Sequence, residues 1–211
     1  MADDSAMSLR SREHQKSLLN IILEVILISI GVFLALWANN WHEEREHRAL
    51  AHSALRNFAN ELRMNQQAVR NERQYHDSLA RQLHEFRISN EPLTEERLQK
   101  SVQFKGVRPI TFDHTAWDLA LATKALSYLK PDLAFDISKI YSAQSDVQTL
   151  QNSFLTSAFT PSTFSSDNVK GLVAAMEFYL LDINQKEPAI LQLYDKVIPE
   201  IDQARSTSNT R

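Results

Sequence analysis

One stretch constrains this chain more than any other: Leu18 to Trp41, LLNIILEVILISIGVFLALWANNW, which only Asn20, Glu24 and Ser29 interrupt before Asn39. From Leu18 to Ala38 it covers about 21 residues, roughly 31 Å as a helix, which matches a hydrocarbon core. Trp37 and Trp41 stand at its C-terminal end as interface anchors, where amphipathic rings favour the headgroup zone. HEEREHR follows at once and marks an exit into water. The apolar region is too long for the h-region of a secretion signal, and no A-x-A-like site precedes the charged stretch. From Val25 to Ala38 there is no periodicity, so a buried helix of a soluble protein would have to be apolar all round. The expectation is a transmembrane helix over 17–41, in contact with the lipid bilayer.

Arg10, Arg12 and Lys16 precede the span, and Arg45, Arg48 and Arg56 follow it, so the positive charges tie. A short basic leader favours a cytoplasmic N-terminus, which places the C-terminal domain in the periplasm of a bacterial inner membrane. Glu24 and Asn20 are the membrane-embedded polar residues. Glu24 reads either as a protonatable group within the bilayer or as a shallow carboxylate, roughly 9 Å inside the span. Gly31 and Ala35 form a small-xxx-small pair suited to helix–helix packing.

Composition narrows the remainder. Glycine occurs only 3 times in 211 residues, which favours long helices over turn-rich sheets and excludes glycine-rich phosphate loops. There is no cysteine, hence no disulfide scaffold, thiol nucleophile or Cys zinc site. The net charge of −3 argues against nucleic acid as a partner.

Residues 1–16 read as a disordered basic leader and 205–211 as a disordered tail. Between them, prolines punctuate five helical stretches within a bundle domain over 42–204. The first, 42–88, carries a heptad seam at 55, 58, 62, 65, 69, 72, 76, 79, 83 and 86, with Asn65, Glu72 and His76 at its centre. Such a polar centre suits a partly solvated seam or a register device in a homo-oligomer. The seam pairs either with a second copy or with the chain's own bundle. A short helix is expected over 94–103, then an extended loop in FKGVRPITF. A buried central helix is expected over Thr115–Leu129, capped by Asp113 or Thr115, and another over Pro131–Phe159. A fourth starts at a Ser165 or Ser166 cap and ends near Asn184, and a fifth starts at Pro188. Short connections favour antiparallel neighbours. The fold class is all-α: one N-terminal transmembrane helix joined to a long helix and an antiparallel helical bundle.

Catalytic chemistry is hard to place on this pattern. His42, His47 and His52 are five apart and turn away from one another on a helix by about 140°. HEEREH has Glu46 where a zincin motif needs its second histidine. Asp113, His114 and Asp118 beside Trp117 read as a helix cap and polar first turn rather than an acid/base cluster. Lys105 and Arg108 form a candidate anion site at the start of that helix. Arginines 45, 48, 56, 63, 70, 73, 81 and 87 interleave with acids at 43, 44, 46, 61, 72, 77 and 85, the signature of a solvated face. No enzyme activity, metal or cofactor is expected.

The run ILEVILISIGVFLALWANNWHEER resembles the opening of an uncharacterised family of small bacterial single-pass membrane proteins, a domain of unknown function. Glu24, Gly31, Ala35, Leu36, Asn39, Asn40, Trp41, Glu43, Glu44 and Arg45 occupy places matching the family's Glu, apolar V-x-I-G-x-x-x-A-L run and N-N-W-x-E-E-R. The chain departs at Val25 and Trp37. TAWDLALATKAL is similar, more faintly, to a segment of related proteobacterial proteins. The resemblance implies a bacterial single-pass protein and no particular activity, and it gives weight to Glu24. The expected function is that of a membrane-anchored helical interaction or sensor-like scaffold, homo-oligomeric or partnered with another membrane or envelope protein. The alternative is an accessory subunit of a transport or ion-conducting complex that uses Glu24.

Overall fold

Helix forms wherever the chain lacks the residues that end one. Between Asp3 and Ile88 there is a single glycine and no proline, and the backbone is helical throughout: α1, Asp3–Ile88. The computed structural model describes the backbone of residues 3–158 and 168–208 and the side chains of 23–158 and 168–207. α2 is Glu95–Ser101, α3 Thr115–Ala122, α4 Pro131–Ala158 and α5 Val169–Ser208, with a 3-10 turn at Ala125–Tyr128. No strand occurs among the described residues. The chain is all-α.

The expected disordered leader is instead helical from Asp3, because nothing in its sequence interrupts the hydrogen-bond ladder. Arg205–Ser208 likewise continue α5, while 209–211 and the Ser165 or Ser166 cap lie outside the described residues.

The chain divides into two units, Met1–Ala49 and Leu50–Arg211. The first holds one segment long and apolar enough to cross a membrane by length and composition. It has a mean hydropathy of 1.7, and none of it is buried. Polar i,i+4 contacts begin just beyond it: Asn39 to Glu43 at 2.9 Å and Arg48 to Glu44 at 2.6 Å.

The second unit is a bundle built on three seams. Leu55, Phe58, Leu62, Val69, Leu79, Leu83 and Phe86 of α1 are buried, as are Asn65 and His76 between them. Ile137, Ile140, Gln144, Val147 and Gln151 form the seam of α4. Ile183, Glu187, Ile190, Tyr194, Val197 and Ile201 form that of α5. The α1 heptad therefore faces its own bundle.

Long-range contacts fix the directions. Arg63 meets Asp202, Arg70 meets Asp195, His76 meets Glu187 and Arg87 meets Glu177, so α1 and α5 run antiparallel. Asp136 meets Lys196 and Phe154 stacks on Tyr179, so α4 and α5 are antiparallel too. α1 and α4 thus point the same way. Residues 89–130 return the chain to the start of the bundle between them.

Two expected elements differ. The stretch Thr115–Leu129 is not a central helix: α3 ends at Ala122, Lys124 adopts φ 56°, and Leu119 and Leu121 are about half exposed. Its alanines 116 and 120 make the close packing. The fourth and fifth helices are one, α5, with Pro188 and Pro199 inside it. The core spacing 183, 187, 190, 194 carries across Pro188, and that burial outweighs a proline cost of about 3 kcal/mol.

Candidate functional site

Residues 102–114 follow α2 and carry no regular structure, yet Val102, Ile110 and Phe112 are buried. Backbone N–H and C=O groups drawn inside must be paired. Here side chains pair them. On α1, Gln82 Oε1 accepts from Gln103 N at 2.7 Å. Tyr75 OH accepts from Lys105 N at 2.9 Å and donates to Gly106 O at 2.7 Å. Asn65 takes both groups of Asp113, donating to its O at 2.8 Å and accepting from its N at 3.0 Å. From α4, Gln151 does the same for Ile110, at 3.0 Å and 2.5 Å. The segment is a strap that runs antiparallel along α1. Gly106, at φ 93°, makes the turn that lets it follow this path.

His76 is the deepest of these braces. Its Nε2 donates to Val107 O at 3.2 Å and Arg108 O at 3.1 Å. Carbonyl oxygens only accept, so the proton is on Nε2. Nδ1 lies 2.6 Å from Glu187 Oε1, with both side chains fully buried. Burial by itself pushes the imidazolium down. The Glu187 hydrogen bond and charge outweigh that, the two carbonyls add to them, and His76 ends above its ordinary value of 6.5. The short Nδ1–Glu187 bond favours the charged form of the ring. Among the described residues, the other Glu187 oxygen, Tyr179 OH and Asn184 Oδ1 are buried without a hydrogen-bond partner.

At the strap's far end, buried Glu61 accepts from Ala116 N at 2.8 Å and from Tyr141 OH at 2.6 Å. Burial, then the Glu61 bond and charge, push the Tyr141 hydroxyl far up, so it stays a donor. Phe58, Trp117 and Tyr141 pack their rings around this point.

The sequence-derived residues fall in different places. Glu24, Gly31, Ala35, Trp37 and Trp41 all lie exposed in the first unit, and the Asn20 side chain is outside the described residues. A Cβ added at Gly31 would meet nothing within 4 Å, and Arg45 lies over the Trp41 ring at 4.8 Å.

Lys105 and Arg108 do not assemble an anion site at the start of α3. The anion there is the chain's own Glu61. The Arg108 guanidinium is forked onto Glu72, with Nη2 and Nε each 2.9 Å from a carboxylate oxygen, and lies over the Tyr75 ring. Asp113 is not the cap either: His114 holds that position without a side-chain bond, and Asp113 is held through its backbone. The polar centre of the heptad is used within the chain, buried at Asn65 and His76 and partly exposed at Glu72. Asn65 and His76 bind the strap's backbone, and Glu72 binds the Arg108 side chain.

Sequence reasoning missed Glu61, Tyr75, Gln144, Gln151 and Glu187. The signal for three of them was present: Gln144, Gln151 and Glu187 each sit in a 3–4 apolar seam where a polar side chain needs a buried partner.

Comparison with protein-family models, with curated proteins and with solved structures returned no match.

Proposed function

We propose that this chain is a single-pass, membrane-anchored interaction protein of the bacterial inner membrane. In this reading residues 17–41 cross the bilayer, the N-terminus is cytoplasmic and the bundle lies in the periplasm. It acts as a homo-oligomeric scaffold or sensor-like module without catalysis. The observation that carries the reading is the exposure of the first unit: every large apolar side chain from Leu23 to Trp41 is at least 52% exposed. A continuous apolar surface of that extent is stable in lipid and costly in water. The two tryptophans at its end suit a headgroup boundary. The resemblance of residues 22–45 to a bacterial single-pass family points the same way.

The test is membrane fractionation followed by protease treatment of intact spheroplasts carrying a tag after Arg211. The reading expects the protein in the membrane fraction and the tag digested from outside. A tag protected until lysis would overturn the periplasmic placement, and recovery in the soluble fraction would overturn the anchor. Light scattering in mild detergent checks the oligomer, which a monomeric mass would remove. Glu24→Gln should leave insertion and oligomeric state unchanged. Loss of association with another membrane protein at unchanged expression would favour the accessory-subunit alternative.

A further inference from the structure

Late α1, late α4 and early α5 meet under the first half of the strap, and they do not close on one another. A cavity of about 200 Å³ remains, walled by Leu83, Val102, Phe104, Phe154, Leu172 and Met176, among others. Among the described residues, Gln99 is the single polar side chain lining it. We propose that this cavity is a binding site for one short alkyl chain, the tail of an amphiphile whose head stays in water.

Four observations carry the proposal. The described lining offers no charge and almost no hydrogen bonding, so it selects apolar matter. The volume exceeds the ~150 Å³ at which an apolar cavity stays dry and accepts a benzene ring. It falls below the roughly 300 Å³ at which sites for drug-sized ligands begin, so a tail fits and a larger ligand does not. Finally, the roof is held without an occupant. Gln82 and Tyr75 fix the backbone of residues 103, 105 and 106, so the strap need not collapse onto the helices. Phe104, in that roof, remains 53% exposed beside an apolar chamber, which leaves the cavity open on one side. A linear tail can enter there. The site is independent of the membrane reading, since every wall belongs to the second unit.

Methionine supplies the readout. The chain has 4 methionines, of which Met176 lines the cavity and Met64 is exposed elsewhere on α1. The full chain in lipid nanodiscs, labelled at its methionine methyl carbons, is titrated with straight-chain 1-alkanols from butanol to dodecanol. The expected result is a saturable shift of the Met176 methyl while Met64 stays still. Affinity should rise about fourfold per added methylene and then stop rising near six to eight carbons, when the tail outgrows the chamber. Ala158→Phe, which fills the cavity from the end of α4, should abolish the Met176 response. If that variant fails to fold, the break in the wild-type series decides the question.

Three results would overturn the proposal. One is a Met176 methyl that never moves. Another is a response shared with Met64 that grows with chain length without a break, the signature of nonspecific adsorption to the bundle surface. The third is binding that appears only after Phe159 and Phe164 are changed to Ala, which would make one of the chain's own rings the occupant.

Discussion

Burial pushes the pKa of His76 down, and what surrounds the ring outweighs it: the Glu187 carboxyl on one side and two carbonyl oxygens on the other. Its pKa is raised on folding, so the stability it contributes is fully present below 6.5 and is lost as pH rises through the higher folded value. The urea midpoint of the wild type should fall on going from neutral to alkaline pH, whereas that of His76→Gln should stay nearly level. Parallel curves would mean that no proton is held there. Glu187→Leu removes one partner of this fully buried pair and should cost about 3–5 kcal/mol in the same assay at neutral pH. Glu177 is the exposed contrast. The Arg87 hydrogen bond is the main cause holding its carboxyl below the usual range, with His84 adding, but this cluster lies at the surface, where ion pairs contribute little.

At the scale of elements, the strap is the unusual part. It supplies buried apolar side chains as a strand would, but its backbone bonds go to side chains instead of to a neighbouring strand. Gln151→Leu and Asn65→Leu each strip both partners from one strap residue. Gln151→Leu should destabilise the bundle by roughly 2–6 kcal/mol, from about 1–3 kcal/mol for each of the two buried Ile110 groups, and Asn65→Leu by less, because Asp113 is exposed. Hydrogen exchange at the Ile110 amide should quicken in Gln151→Leu and hardly change in Asn65→Leu. Equal protection in both variants would show that the amide does not depend on Gln151. The long helices were legible because apolar residues recur at 3–4 spacing along α1, α4 and α5. The ends of α3 and the passage of α5 through Pro188 were not. Local residue preference argued for a longer α3 and a break at Pro188, and the burial of Ile183, Glu187, Ile190 and Tyr194 on one face settled the latter otherwise.

For the whole molecule, the boundary after Ala49 separates a unit whose large apolar side chains from Leu23 to Trp41 are exposed from one with its own core. The fragment 50–211 should therefore be soluble and unfold cooperatively, with a Tm within a few degrees of the full chain's by calorimetry. Aggregation of the fragment, or loss of its cooperative transition, would show that the core needs residues before Leu50.

The apolar run from Leu18 to Ala38, the scarcity of glycine and the seam spacings determined, from the sequence alone, that the chain is helical and has one segment of bilayer length. These are local properties: a hydrogen-bond ladder and a periodicity are complete within one element. Only the tertiary structure decided what the polar residues in the seams are for. Asn65, His76, Gln151 and Glu187 bind partners up to 111 residues away, and these are backbone groups or side chains of other elements. Nor could spacing show that Glu61 would occupy the start of α3 and leave Arg108 to Glu72, because that depends on where a strap of no regular structure is laid down.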